Sequence, residues 1–443
     1  MTATATVVVV SWNGAHLLRS CLPALAAQNA PDGFFETVVV DNASEDGTVA
    51  MLQQEFPWVR VVANTENLGF AGGNNSALRD VTTPYAVLLN NDAVPEPEWL
   101  VNLLAPFDAA DGERIGITTG KVLFLPRFLR LQITTEGFTP GGADPRELGV
   151  RVHAVECDGA DVTGELLWDS LTFGPEGGFR WTRPEGELLV PVDGPGPWKV
   201  TIRAAAERGK PLAVSWSGGQ VVLDVPAEEP TDLSFSIGSD VALVDVVNNV
   251  GGVMLSTGYG ADRGYQRVDE GQYDAATDVF GGCGNGMAMR TEPGHATGWF
   301  DDDFFLYYED TDLSWRIRAL GYRALYVPGA VLRHEHAASS GEWSPLFVFH
   351  VDRNRLLNLV KNATRSLALP EVARYPLTTL SLLRQRRLSK AQLRLRVRVM
   401  LSLLRLLPTM LVKRRRIRRS AQVDRTTLQQ LITPFTAWQE GAD

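Results

Sequence analysis

Cysteine is scarce in this chain. Its 443 residues include three, Cys21, Cys157 and Cys283, and no C-x-x-C pair. That excludes a disulfide framework and argues for a reducing compartment. Long apolar runs are missing as well. No stretch of eighteen apolar residues occurs, so no transmembrane helix is expected. The opening MTATATVVVVSWNG has no basic segment ahead of its four valines and reads as a strand rather than a signal peptide. Without a secretory signal, the N-x-S/T matches at Asn42, Asn74 and Asn362 are chance matches. The loop after the first strand, SWNGAHLLRS, is neither a G-x-G-x-x-G turn nor a G-x-x-x-x-G-K-[ST] loop, so the sites of those motifs are unsupported.

Charge is unevenly placed. The net charge is −10, yet Arg384 to Arg419 holds fourteen Lys and Arg and no Asp or Glu, so the rest of the chain stands at −24. An acidic body with a basic tail implies a localised anionic partner. Aromatics are absent between Arg384 and Arg419, which leaves no platform for base stacking. The expected partner is therefore an anionic membrane surface and not nucleic acid, with the protein in the cytoplasm, peripheral on the inner face of the cell membrane.

The chain is long enough for two or three domains. Residues 4–120 alternate strand and helix. TATVVVVSW, FFETVVVDN, WVRVVAN and YAVLLNND read as four strands. Between them the pattern predicts helices around Ala15–Ala27, from near Asp46–Thr48, and near Asn75–Arg79. A fourth helix is entered through PEPEWLVNLL, with Pro97 in its first turn. Continuous apolar strands separated by helices mean a parallel sheet covered on both faces. Near Arg130 the rhythm changes to short alternating runs such as LGVRVHAVEC, WKVTIRAAA and LAVSWSGGQVVLDV, joined by turn residues, which read as a β-sandwich. α/β character resumes with FGGCGNGMAMR and a helix Glu309–Ala319, and beyond Trp343 the chain reads as helices. The expected fold is α/β with an inserted β-sandwich and a C-terminal helical region. Its expected parts are an α/β domain in two pieces, 1–129 and 246–342, the insert 130–245 between them and a basic helical region 343–443.

Polar residues gather where the strands end. Asp41 and Asn42 close the second strand, and Asn90, Asn91 and Asp92 close the fourth. In open α/β sheets ligands bind beside strand carboxyl ends. Asp41 there can accept from a ribose hydroxyl or a base N–H, or simply form an Asx turn with Asn42. Asp92 suits a hard cation, Mg2+ or Mn2+, or merely caps the next helix. NTENLGFAGGNNSA sets glycines 69, 72 and 73 ahead of a helix, where backbone N–H groups can hold a phosphate or shape a nucleotide loop. WFDDDFFLYYEDTDLSWRIRALGY carries Asp301, Asp302, Asp303, Glu309, Asp310 and Asp312, with Glu309 and Asp310 in the first turn of a helix, where the macrodipole favours anions. The strand that follows runs into His334 and His336.

In order, these pieces are a strand ending in Asp41, N-x-G-F-A-G-G-N-N, N-N-D-A, F-x-Y-x-E-D-x-D-L-x-x-R-x-x-x-x-G, and His-x-His-x-x-Ser-Ser. Together they resemble the inverting family 2 glycosyltransferases of GT-A fold, especially their rhamnosyltransferase-like branch, over about 1–127 and 246–342. The resemblance implies a nucleotide-sugar donor, bound on the side of Ser11, Asn13, Asp41, Asn42, Asn67, Gly69, Asn74, Asn75, Asn90 and Asn91. It implies a divalent metal on Asp92 with His334, His336 being the close alternative. Asn90 replaces the first Asp of the D-x-D that many relatives carry, which removes one negative charge from the metal site. Asp310 matches the catalytic base, with Glu309 in a supporting position.

Such a transfer breaks the anomeric bond through an oxocarbenium-like transition state, as glycoside hydrolysis does. The acceptor hydroxyl loses its proton to a carboxylate, and the diphosphate's developing charge is neutralised by a Lewis acid. UDP and dTDP donors both fit, dTDP-rhamnose being favoured by the branch. The expected acceptor is a saccharide or a polyprenyl-diphosphate-linked saccharide in cell-envelope polysaccharide synthesis. Two other readings compete. A nucleotidyltransferase would normally carry a Gly- and Lys/Arg-rich loop after the first strand. A non-catalytic saccharide-binding protein need not retain Asp92, Asp310 and His334 together.

Overall fold

The computed structural model describes residues 3–142, 144–168, 170–335 and 344–439. It divides into two compact units, one formed by Met1–Leu123 with Val247–Asp443, the other by Phe124–Val246. The expected α/β architecture, with an inserted sandwich and a helical C-terminal region, is the one observed.

In the first unit, β1 (Ala5–Ser11), β2 (Phe35–Asp41), β3 (Arg60–Ala63) and β4 (Tyr85–Leu89) alternate with α1 (Ala15–Ala26), α2 (Thr48–Glu55) and α3 (Gly69–Leu78). Pairing is parallel, in the order β3-β2-β1-β4. The order reverses at β1, so the crevice beyond the ends of β1 and β4 is a topological switch point. The valine run explains the burial. Val7 and Val9 point into one apolar layer with Leu18, Leu22 and Trp99, while Val8 points into another with Leu78, Leu313 and Ile317. Successive side chains of a strand leave on opposite faces, and here both faces are dry.

Further strands widen this sheet beyond β4 through antiparallel pairing. Gly286–Arg290 pairs with β4 and with β6 (Ile115–Leu125). The strand Arg323–Glu335 pairs with β5 (Ala93–Pro95). Helix α4 (Trp99–Leu104) has Glu98 as its N-cap, so Pro97 lies just ahead of it rather than in its first turn. Helix α3 starts at Gly69, well before the expected Asn75. Gly69 N–H donates to Asn67 Oδ1 at 2.9 Å, and its left-handed φ of 71° turns the chain into the helix.

Beyond the sheet, α5 (Thr291–Thr297) and α6 (Glu309–Ala319) precede α7 (Pro345–Asn362), α8 (Arg365–Arg384) and α9 (Lys390–Ser420). Ser389 and Gln392 form a capping box that starts α9. Leu356, Leu357, Val399, Leu403 and Met410 join Phe304 and Tyr308 in one apolar cluster, so α7 and α9 pack against the segment that leads into α6.

The second unit, taken by itself, is two antiparallel sheets around a common core that includes Trp168, Trp198, Val200 and Val214. Trp216 stacks on Phe235, and Trp181 meets Phe138 and Phe179 edge-on. Trp168 and Trp198 are thus core residues.

Candidate active site

The strand ends place the donor-side residues. Ser11 and Asp41 are register partners at the ends of β1 and β2, and Ser11 Oγ accepts from Asn91 Nδ2 at 3.1 Å. Asp41 is 3% exposed. Its Oδ2 accepts from Ser44 N–H at 3.1 Å, while its buried Oδ1 has no hydrogen-bond partner among the described residues. An unsatisfied buried carboxylate oxygen is costly, and at a switch point it is available to a ligand. Asn13, left-handed at φ 52°, exchanges hydrogen bonds with the Ser44–Glu45 loop: its N–H donates to Ser44 Oγ and its Oδ1 accepts from Glu45 N–H.

Several asparagines expected on the donor side have their amides committed within the protein. Asn42 Nδ2 donates to Asn67 Oδ1 and Gly69 O, and its Oδ1 accepts from Asn64 and Leu68. Asn74 donates to Phe70 O, and Asn75 to Phe300 O and Asp302. These residues fix the loop and α3 in place. Gly69 is required twice: by its φ, and because a Cβ there would stand 2.5 Å from Phe305 O.

Asp92 and His334 meet through strand pairing. His334 is in register with Ala93, and Glu335 N–H donates to Asp92 O. His334 Nε2 lies 3.1 Å from Asp92 Oδ1, both side chains being almost fully buried. That carboxylate oxygen accepts no hydrogen bond among the described residues. Metal–ligand bonds of about 2.1 Å put neighbouring donor atoms roughly 3 Å apart around an octahedral ion, so this oxygen–nitrogen pair fits Mg2+ or Mn2+. Among the described residues no third His, Cys, Asp or Glu completes a cluster. His336 lies outside the described residues.

The six carboxylates around α6 separate by partner. Asp301 binds Lys361 and Lys413, Asp302 binds Arg79, Asp303 binds Lys413, and Asp312 binds Lys361 and Arg316. Asp301 is accordingly held well below the usual carboxylate range: Lys361 and Lys413 outweigh a burial that by itself would raise it. Glu309 and Asp310 have no cation partner among the described residues. Burial raises Asp310 above its ordinary value, against hydrogen bonds from Gly284 N–H at 3.2 Å and Thr311 N–H at 2.6 Å. Burial, then the neighbouring Asp310, raises Glu309 much further, and its Oε2 has no hydrogen-bond partner among the described residues. The pair follows a turn in which Phe305, Tyr307 and Tyr308 all have left-handed φ, between 65° and 70°. Such residues cost about 1–3 kcal/mol each and gather at functional sites.

One element of the site is missed by the sequence reading. Gly284 and Asn285 join its two sides: Gly284 N–H donates to Asp310, while Asn285 O and Oδ1 accept from Asn90 N–H and Nδ2. A Cβ on Gly284 would meet Phe70 at 3.2 Å and Asp310 Oδ2 at 3.7 Å. The glycines of FGGCGNG are the signal that could have pointed there.

The site thus combines a switch-point crevice, a buried oxygen–nitrogen pair at the spacing of neighbouring ligands on a divalent ion and a carboxylate pair with no cation partner among the described residues. Residues 6–127 match the model of Glycosyl transferase family 2. Glycosyltransferase AglE of Haloferax volcanii is 27% identical over 211 residues, spanning 41% of this chain and 68% of its own length. Uncharacterized glycosyltransferase YfnE of Bacillus subtilis is 36% identical over 91 residues, of which this chain spans 23% of the relative's length. Among solved structures, GalNAc-T7 with UDP, GalNAc and Mn2+ aligns with a TM-score of 0.45 and 12% identity over 81% of this chain and 48% of its own. The family match over residues 6–127 and the two relatives support a glycosyltransferase family 2 domain in this part of the chain.

Proposed function

We propose that the protein is an inverting, metal-dependent glycosyltransferase. It moves a sugar, rhamnose being favoured by the motif order, from a dTDP- or UDP-sugar to a hydroxyl of a saccharide or polyprenyl-diphosphate-linked acceptor for the cell envelope. The observation that carries this reading is the Gly284–Asn285 link, which ties Asp310, without a cation partner among the described residues, to the strand end bearing Asn90, Asn91 and Asp92.

Asp41 offers its unpartnered oxygen to the nucleoside. The Gly69–Leu78 helix and its loop close over the donor, their asparagines holding the backbone. Asp92 and His334 would hold Mg2+ or Mn2+, which when bound neutralises charge developing on the diphosphate. Asp310 takes the proton from the acceptor hydroxyl. The new bond forms at the anomeric carbon as the bond to diphosphate breaks on the opposite side, which inverts the centre. A base with a raised pKa takes that proton more readily than an ordinary carboxylate, provided it is ionised at the working pH. Burial and the neighbouring Asp310 raise the pKa of Glu309, which favours its protonated form beside Asp310.

The basic tail is assigned to the membrane surface. On α9, Val397, Leu401, Leu404, Leu411 and Val412 are exposed, while Val399, Leu403 and Met410 are buried. The helix thus keeps an apolar stripe unused by the protein, flanked by exposed arginines such as Arg394, Arg398 and Arg405. On α8, Leu377, Leu380 and Leu383 are exposed as well. Leucine with arginine suits an interfacial helix on acidic lipid. Among the described residues no helix is long and apolar enough to cross a membrane.

Release of nucleoside diphosphate from a panel of UDP- and dTDP-sugars, with Mn2+ and lipid-linked saccharide acceptors, tests the reading. Pyrophosphate release would favour a nucleotidyltransferase, and saccharide binding without turnover a binding protein.

A further inference from the structure

Helix α7 carries polar residues that the reading above does not use. Asn354 is fully buried. Its Nδ2 lies 2.8, 2.8 and 2.7 Å from the carbonyl oxygens of Phe304, Leu306 and Tyr307. Its Oδ1 accepts from Arg353 Nε at 2.8 Å, and the Arg353 guanidinium also reaches Asp303 O and Phe304 O. All these carbonyls belong to the run that leads into Glu309 and Asp310.

That run contains the left-handed residues Phe305, Tyr307 and Tyr308. Aromatic residues keep such a backbone only where their surroundings over-determine it. Here the opposite side is held too: Ala71 N–H donates to Phe305 O at 3.1 Å, and Gly260 N–H donates to the Tyr308 hydroxyl at 3.1 Å. The turn is clamped between α3 and α7, and Tyr308 is the N-cap of α6. Farther along α7, Lys361 binds Asp301 and Asp312, and Asn362 donates to Asp312. Asn354, Lys361 and Asn362 are spaced i, i+7 and i+8, one face of a helix. They grip the chain on either side of Asp310 and none of their described bonds is to Asp310 itself.

We infer that Asn354 is a positioning residue for transfer: by gathering the carbonyls of Phe304, Leu306 and Tyr307 it fixes the start of α6, and with it the direction in which Asp310 meets the acceptor hydroxyl. The inference rests on Asp310 being the base. An alanine would take their side-chain donor from the carbonyls of Leu306 and Tyr307, Phe304 O keeping Arg353, and let the left-handed turn relax, moving Asp310 while sparing Asp41, Asp92 and His334.

Asn354→Ala and Asn354→Ser are compared with the parent protein and in an Asp310→Asn background. The donor is the UDP- or dTDP-sugar that turns over in the panel, and calorimetry with UDP and dTDP plus Mn2+ reads nucleotide binding. Expected is a fall in kcat of about 10–100-fold for alanine, as a misplacement near 1 Å costs, a smaller fall for serine, and nucleotide affinity within about 2-fold. In the Asp310→Asn background the added loss should shrink to under about 2-fold, because residues acting through one group are not additive. An equal loss in both backgrounds, or nucleotide binding lost in step with turnover, overturns the inference while leaving the base assignment standing. Near-normal turnover of Asp310→Asn alone overturns the base assignment and this inference with it. Failure of both Asn354 variants to fold would make Asn354 a residue of the fold and overturn it as well.

Discussion

His334 Nε2 stands 3.1 Å from Asp92 Oδ1 because His334 pairs with Ala93, next to Asp92, across two antiparallel strands. The pairing brings a carboxylate and an imidazole from distant parts of the chain to ligand spacing. Asp92→Ala should lower transfer roughly 10²–10³-fold, the scale for losing one electrostatic contact to the transition state, and weaken UDP or dTDP binding in Mn2+. His334→Ala should do the same more mildly. If His336→Ala proves the more damaging, the second ligand is His336. Full activity in excess EDTA would remove the metal from the account.

Glu309 gives a pH signature. Its folded pKa lies well above its unfolded one because of burial and Asp310. Any stabilising share it has is therefore present below the unfolded pKa and is lost as pH rises toward the folded value. Glu309→Gln should raise Tm at pH 8 by several degrees and leave it nearly unchanged at pH 4, with a milder loss of transfer than any change at Asp310. Equal shifts in Tm at both pH values would mean that Glu309 does not titrate as described.

The tail prediction concerns α9. The full-length protein should sediment with vesicles containing phosphatidylglycerol at low salt and be released by high salt, since each cation near an anionic surface adds about 1 kcal/mol. Leu401→Glu with Leu404→Glu, both on the exposed stripe, should release it without unfolding. Undiminished sedimentation of that variant would sink the membrane assignment.

The sandwich unit should be dispensable for chemistry. Leu123 and Val247, the residues that flank it, are register partners on adjacent strands, so a short turn can join them. Deleting Phe124–Val246 should spare donor binding and hydrolysis, and any loss should fall on acceptor use. A folded deletion that no longer binds UDP or dTDP would assign the sandwich to the donor site.

The valine strand, the strand-end acids and α6 were legible because period and position are written locally: four valines leave no polar face, and Glu309 and Asp310 open a helix. Ligand geometry was not. An asparagine reads the same whether its amide faces a ligand or, as in Asn42 and Asn75, is committed to neighbouring backbone and side chains. Nor could the sequence separate the acids of DDDFFLYYEDTD. What excludes Asp301 and Asp312 as free bases is Lys361 on α7, and the partner of Asp301 and Asp303 is Lys413 on α9. The same distance in sequence hid the hold of Asn354 on the turn before Glu309 and the role of Gly284 and Asn285.

The central claim is that Asp310 removes the acceptor's proton, and Asp310→Asn tests it most directly. Asparagine keeps the size and its one amide oxygen can still accept from either Gly284 N–H or Thr311 N–H, which bond to different oxygens of the Asp310 carboxylate, but it cannot take a proton. With the donor that turns over, transfer should fall about 10²–10⁴-fold, the usual loss for a missing general base. Binding of UDP or dTDP with Mn2+, measured on the same preparation, should stay within about 2-fold, or about 0.4 kcal/mol, since Asp310 is not assigned to the metal or the nucleotide. Near-normal turnover, or a collapse of nucleotide binding while turnover survives, would contradict the assignment and move the base to another carboxylate.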